Sequence, residues 1–275
     1  MKTLLTGLGF GESPRWHGGR LWFCNWGTGE IISVPPSLGG EVGSRVETVV
    51  PVKIPYCIDW LPDGRLLVVL GPEGVLARLE PDGSLATHAE LGPGMFNEIV
   101  LDGAGNIYVN GGGFDGPGNI LVVTPDGAVR EVATGIEFGN GMVVTPDGST
   151  LIVAESWGNR LSAFDIGTGG GLSNRRVWAE LGDAAPDGIC LDASGAVWYA
   201  DVPHRCCVRV REGGEVLERV ELDRGGFACA LGGQTLYVLA AEFHGFETVE
   251  ADLAARTGIL AAVEVSVPAA ATGGS

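Results

Sequence analysis

NEIVLDGAGNIYV, residues 97–109, decides the fold, because the chain repeats it. YCIDWLPDGRLLV (56–68), NGMVVTPDGSTLI (140–152) and DGICLDASGAVWY (187–199) align with it without gaps, and ESPRWHGGRLWF (12–23) aligns one residue shorter. Each copy opens on a polar or aromatic residue, runs through an apolar stretch, turns at a glycine and returns through a second apolar stretch. A looser sixth copy is GFACALGGQTLYV (226–238). The copies begin about 40 to 47 residues apart, a period typical of repeat architectures. Between them lie further apolar pairs around turn tripeptides, such as GVLARLEPDGSLATHAEL (74–91) and NILVVTPDGAVREVAT (119–134).

Four strands per unit, six units and no linker predict an all-β, six-bladed β-propeller with four antiparallel strands per blade and a central channel holding a metal site. One domain is expected over 1–267, with 268–275 as a loose tail. Ring closure is expected from a strand near Lys2–Leu5 joining one near Ile259–Val265. The composition agrees. The 275 residues include 46 Gly and 15 Pro, and Gly costs about 1 kcal/mol per helical position relative to Ala.

The net charge of −17 argues against nucleic acid and anionic membrane as partners. No run of 18 apolar residues is present, and the first residues carry too few apolar side chains for a secretory signal. Six cysteines occur without a C-x-x-C pair, which predicts reduced thiols and a cytoplasmic protein. The expected partner is a small-molecule substrate, and the expected state a monomer or weak homo-oligomer.

Propeller geometry puts the opening residues Glu12, Tyr56, Asn97, Asn140 and Asp187 around one channel entrance. The loops 25–28, 111–118, 155–159, 201–205 and 242–246 would rim the same entrance. Five Pro-Asp-Gly tripeptides test this register, at 62–64, 81–83, 125–127, 146–148 and 186–188. Four fall where a hairpin turn is required. The fifth does not: its blade turns at Asp192–Gly195, so Asp187 is predicted to face the channel.

Four of the five ring positions are therefore oxygen donors. Two carboxylates brought together without a basic partner repel, and a divalent cation resolves the conflict. Carboxylate and amide oxygens suit a hard ion, Ca²⁺ best, with Zn²⁺, Mg²⁺ and Mn²⁺ left open. Gly141 and Gly188 follow ring residues and are expected to let the backbone approach the ion.

With these residues in hand, the chain resembles the SMP-30/gluconolactonase/LRE-like family, which includes regucalcin, Drp35-type lactonases and, more distantly, diisopropylfluorophosphatase. The motifs that carry the resemblance are Gly11-Glu12-Ser13-Pro14 with Trp16 and Leu21-Trp22-Phe23, then Phe96-Asn97-Glu98, Asn140-Gly141-Met142 and Pro186-Asp187-Gly188-Ile189-Cys190. The resemblance implies that Glu12, Asn140 and Asp187 bind the metal, with Asn97 beside it as a further ligand or substrate contact. Met95 stands where sugar lactonases of the family carry an arginine on the sugar.

Trp26, Phe114, Trp157, Phe243 and Phe246 lie in or beside the rim loops and point to a more apolar or aromatic substrate. Tyr56, Cys57, Met95, Asp115, His204 and His244 complete the candidate pocket, although Cys57, like Cys190 and Cys229, also reads as a core residue. The four histidines read as isolated. The expected reaction is metal-dependent hydrolysis of a small lactone or ester, with Asp187 as general base and Asn97 orienting substrate. Two alternatives remain. One is another reaction on a non-sugar substrate, biosynthetic or of the phosphotriesterase type. The other is a non-catalytic binding propeller with a structural ion.

Overall fold

The computed structural model describes residues 1–35, 47–51, 55–71, 73–112 and 114–270. Among these residues are 24 strands in six four-stranded sheets. β1 (Lys2–Leu8) is held back for the last sheet. The first sheet is β2 (Gly11–His17), β3 (Arg20–Asn25), β4 (Glu30–Val34) and β5 (Glu47–Pro51). The second is β6 (Pro55–Trp60), β7 (Leu66–Leu70), β8 (Val75–Leu79) and β9 (Leu85–Glu90). The third is β10 (Phe96–Leu101), β11 (Ile107–Gly111), β12 (Gly118–Val123) and β13 (Val129–Ile136).

The fourth sheet is β14 (Gly139–Val144), β15 (Thr150–Glu155), β16 (Arg160–Ile166) and β17 (Leu172–Glu180). The fifth is β18 (Pro186–Leu191), β19 (Val197–Asp201), β20 (Cys206–Val210) and β21 (Val216–Glu221). The sixth takes β22 (Gly225–Gly232), β23 (Thr235–Ala241) and β24 (Gly258–Glu264), and β1 completes it by pairing antiparallel with β24. The protein is a six-bladed β-propeller whose closing blade mixes both ends of the chain. Its one α-helix among the described residues, α1 (Val249–Ala255), lies between β23 and β24.

Burial follows strand order. β7, β11, β15, β19 and β23 are apolar and buried on both faces, whereas β13, β17 and β21 are largely exposed. Each middle strand is covered on both faces, so it reads as an apolar run rather than an alternation.

The chain divides into two compact units. One holds the sheets that begin at β2, β18 and β22, and the other those that begin at β6, β10 and β14. In the first, Leu4, Leu21, Phe23, Ile32, Leu239 and Leu260 form one core cluster, and Trp198, Cys207, Cys229 and Val238 belong to another. In the second, Leu67, Leu76, Ile99 and Val109 form one cluster, and Tyr108, Ile120, Leu151 and Phe164 another. A fully buried Leu, Ile or Phe contributes about 1.5–3 kcal/mol.

The turn aspartates behave as their tripeptides predict. Asp63, Asp82, Asp126 and Asp147 each accept a hydrogen bond from the backbone N–H two residues on, at 3.0–3.3 Å. Side-chain donors, with these N–H groups, hold all four carboxyls below the usual range. Asp192 caps the turn of the fifth sheet in the same way, from Ser194 at 2.8 Å. Asp187 lies inside β18.

Beyond β24 the chain stays attached. The Ala193 N–H donates to the Pro268 carbonyl, and Ala269 and Ala270 donate to Gly233 and Leu191. The remainder of the expected tail, 271–275, lies outside the described residues. None of the six cysteines is in a disulfide. No helix among the described residues is long and apolar enough to cross a membrane.

Candidate active site

Glu12, Tyr56, Asn97, Asn140 and Asp187 occupy the same position in five sheets: each is the second residue of the first strand. Gly226 takes that place in the sixth sheet. Just beyond it the pairing slips, between Glu12 and Arg15, Phe96 and Ile99, Gly139 and Met142, and Gly226 and Ala228. An irregularity of this kind re-aims a side chain at a strand end.

In the first unit, Glu12 and Asp187 are both buried carboxylates. Ser13 follows Glu12 with φ +50. Gly188 follows Asp187, and a Cβ there would lie 2.6 Å from the Cβ of Ala228. The glycine therefore lets β18 close on β22.

In the second unit, Asn97 Nδ2 donates to the Gly139 carbonyl at 3.4 Å. Asn140 Nδ2 donates to Ser156 Oγ at 3.4 Å, and Ser156 Oγ donates to the Pro186 carbonyl at 2.7 Å. Each amide thus sets its NH₂ end on a protein acceptor. Asn110, fully buried in β11, supports them: its Nδ2 donates to the Asn140 carbonyl and its Oδ1 accepts from the Glu98 N–H at 2.9 Å.

Asn110 belongs to a set that sequence reading missed. Four second strands carry a buried polar residue that accepts a backbone N–H, at the last position in three and the last but one in β11. Asn25 takes Gly9 at 3.0 Å, Asn110 takes Glu98, Glu155 takes Glu137 at 2.8 Å, and Asp201 takes His204 at 3.4 Å. The available signal is a polar residue closing an apolar run, as in LWFCN, IYVN, LIVAE and VWYAD.

Glu155 carries the densest of these sites. Arg160 and Arg175 both reach its carboxylate, Arg175 at 2.8 Å, and Ser162 Oγ also donates to it. Burial opposes its charge. The donors from Arg160, the Glu137 N–H, Ser162 and Arg175 overcome that and bring the carboxyl down to about 2.

Two aromatic groups flank the strand starts. In the first unit, Phe10 stacks on Phe227 at 4.6 Å, with Phe243 edge-on to both and Phe246 edge-on to Phe243. Trp26 is half-buried and its N–H donates to the Phe10 carbonyl at 2.9 Å. In the second unit, Phe138 stacks on Trp157 at 4.6 Å, and Phe114 leans on both at 5.5 and 6.1 Å. Met95 is exposed and its carbonyl accepts the Gly112 N–H at 3.0 Å. Phe138 was not foreseen.

The other expected pocket residues separate. The Tyr56 ring packs over Gly71, where a Cβ would lie 1.6 Å from the ring. Cys57 is fully buried in the apolar cluster with Leu67 and Ile99. Asp115 is exposed in the turn before β12. The histidines of the rim loops are not isolated. His204 Nδ1 lies 2.9 Å from Asp201 Oδ2, and His244 Nδ1 lies 2.7 Å from Asp252 Oδ1. The His244 N–H, the His244 ring and Thr248 hold the Asp252 carboxyl below its usual range.

Among the described residues, no three His, Cys, Asp or Glu side chains form a group that could hold a metal ion. The expected donor set contains only two such residues, and its other donors are amide oxygens. That all-oxygen chemistry fits a hard divalent cation.

A profile of the SMP-30/gluconolactonase/LRE-like region matches residues 10–242. The chain belongs to this family. Pentonolactonase XacC of Haloferax volcanii is 28% identical over 224 residues, covering 79% of this chain and 75% of that protein. Among solved structures, a luciferin-regenerating enzyme superposes with a TM-score of 0.84 at 19% identity, covering 99% of this chain and 98% of that one. A calcium-binding protein, regucalcin, from Agrobacterium tumefaciens superposes with a TM-score of 0.80 at 22% identity, covering 98% and 94%. These two likenesses show the propeller fold.

Proposed function

We propose that the protein hydrolyses a small lactone or ester with the help of one divalent cation, Ca²⁺ by preference. Membership of a family with a lactonase relative supports the reaction class. The observation that carries the site is the recurrence of oxygen donors at the second residue of the first strand in four sheets. The committed NH₂ ends of Asn97 and Asn140 strengthen it, since a fixed outer partner orients a ligand.

Glu12, Asn140 and Asp187 would hold the cation, with Asn97 as a fourth donor. When bound, the cation supplies Lewis-acid polarisation of the substrate carbonyl. Asp187 accepts a proton on a carboxylate oxygen from the attacking water, the role of a positioned general base. Asn97 orients the substrate through its amide. The buried Asn110–Asn140–Ser156 hydrogen bonds keep this end of the second unit from rearranging as charge develops.

A panel of lactones and aryl esters, assayed with and without EDTA, tests the reading. Turnover should be lost on chelation and restored by Ca²⁺. Asp187→Asn should lower kcat by about 10² or more while the circular dichroism stays native. Turnover untouched by chelation would remove the cation from the reaction. No turnover of any substrate would favour a binding propeller.

A further inference from the structure

Two of the exposed large apolar side chains, Phe114 and Trp157, lie together at one end of the third and fourth sheets, and a third, Met95, precedes β10 where its carbonyl accepts the Gly112 N–H. Met95 is 41% exposed, Phe114 47% and Trp157 46%. Phe138 joins Phe114 and Trp157 in one aromatic surface: Phe138 and Trp157 are 21° from coplanar, and Phe114 is tilted 32° and 39° to them.

This surface is attached to the amide donors by backbone. Met95 precedes Asn97 by two residues, and Phe138 precedes Asn140 by two. The Ser156 N–H donates to the Phe138 carbonyl at 3.0 Å, and the Trp157 N–H to the Glu137 carbonyl at 3.2 Å. Ser156 is the same residue whose hydroxyl receives the Asn140 amide. The aromatic group and the two asparagines thus share one end of the second unit, joined by short stretches of backbone.

Phe138 is held there against its own preference. Its φ is +55, a left-handed conformation that an ordinary L-residue avoids and that glycine takes freely. Glycine follows at 139, so a small residue was available nearby. A strained backbone that presents a half-exposed ring is an outlier of the kind found at ligand clamps.

The side chains of this surface themselves offer a polyol few hydrogen-bond partners. Arg160 and Arg175 point their guanidinium groups at Glu155. Met95 offers only a thioether, a weak acceptor. Of the four side chains, only Trp157 carries an N–H.

We propose that Met95, Phe114, Phe138 and Trp157 receive a flat aryl substituent of the substrate, so that the ester or lactone carries an aromatic ring rather than a sugar chain. This rests on the hydrolase reading, and its ligand preference can be measured without turnover. The probes are two non-hydrolysable lactams, one phenyl-substituted (5-phenyl-2-pyrrolidinone) and one polyhydroxylated (the lactam of ribonic acid).

Calorimetry should show the phenyl lactam binding more tightly than the polyhydroxylated one. Trp157→Ala and Phe138→Gly should each weaken the phenyl lactam by about tenfold, the scale of one lost aromatic contact together with its buried area. Phe138→Gly relieves the left-handed strain, so its thermal midpoint should hold or rise, which separates loss of the ring from loss of the fold. In hydrolysis, the ratio of kcat/KM for the phenyl lactone to that for ribonolactone should fall by the same factor. Tighter binding of the polyhydroxylated lactam, no binding of the phenyl lactam, or equal affinities in wild type and both variants would overturn the proposal. Loss of all turnover with phenyl-lactam binding intact would count against the hydrolase reading alone.

Discussion

Asp147 and Asp187 stand in the same tripeptide, Pro-Asp-Gly, and do different things. Asp147 is exposed and accepts from Thr145 and Ser149 around a turn. Asp187 is buried inside a strand. Local sequence cannot tell them apart, but the repeat register can, because the fifth copy already has a turn at Asp192. That distinction was legible. The reason for Gly188 was not. It was expected to bring backbone close to an ion, yet the structure places the Ala228 Cβ in the space a side chain would need. A packing contact between β18 and β22 is invisible to any reading of residues 186–190 alone. Gly188→Ala should therefore be an overpacking change costing about 1–3 kcal/mol. Urea denaturation should show a lower midpoint with an unchanged slope. A midpoint equal to wild type would mean that β22 yields without cost.

At the scale of the element, the arrangement around Glu155 joins three strands of the fourth sheet. Glu155 ends β15, Arg160 begins β16 and Arg175 lies in β17. Arg160 sits directly across from Glu155 in the pairing of β15 with β16, so that contact follows from the hairpin. Arg175 is 20 residues away and its approach depends on the slipped pairing of β16 with β17, which no sequence pattern marks. Despite burial, the Arg160, Glu137 N–H, Ser162 and Arg175 donors bring the carboxyl down to about 2 in the folded protein, from its ordinary 4.5. A carboxyl lowered on folding adds stability above its unfolded value, and that stability is lost as the pH falls through the folded one. Glu155→Gln should therefore cost about 3 kcal/mol at pH 7, near the low end for one partner of a buried ion pair because both guanidiniums keep some water. The gap between wild type and variant should stay constant from pH 7 down to about 5 and then narrow steadily toward pH 2. Paired urea titrations at pH 7, 4 and 3 measure it. A gap that is the same at pH 3 as at pH 7 would show that the carboxylate charge is not what Glu155 contributes.

For the whole molecule, the number of blades and the need to close the ring were both readable from the period of the repeat. The closing strand follows from that need, since a sheet of three strands would leave β24 as an open edge. β1 meets β24 from Lys2 opposite Ala262 to Leu8 opposite Gly258, with two slips in the pairing. It adds more than hydrogen bonds. Leu4 and Leu8 are 3% and 5% exposed and belong to the cluster of Leu21, Phe23 and Leu260. Removing residues 1–8 therefore uncovers two leucines, each worth about 1.5–3 kcal/mol, and leaves β24 with a row of unpaired N–H and C=O groups beside apolar surface. The truncated protein should melt at a clearly lower temperature and should associate through that edge. Size-exclusion chromatography with light scattering should show species larger than those of the full chain at the same concentration. A synthetic peptide of residues 1–8 added in excess should raise the melting temperature and reduce the association, because it replaces the same strand. If the truncated chain matches the full chain in both melting temperature and mass, β1 is an ornament on a blade that is stable with three strands.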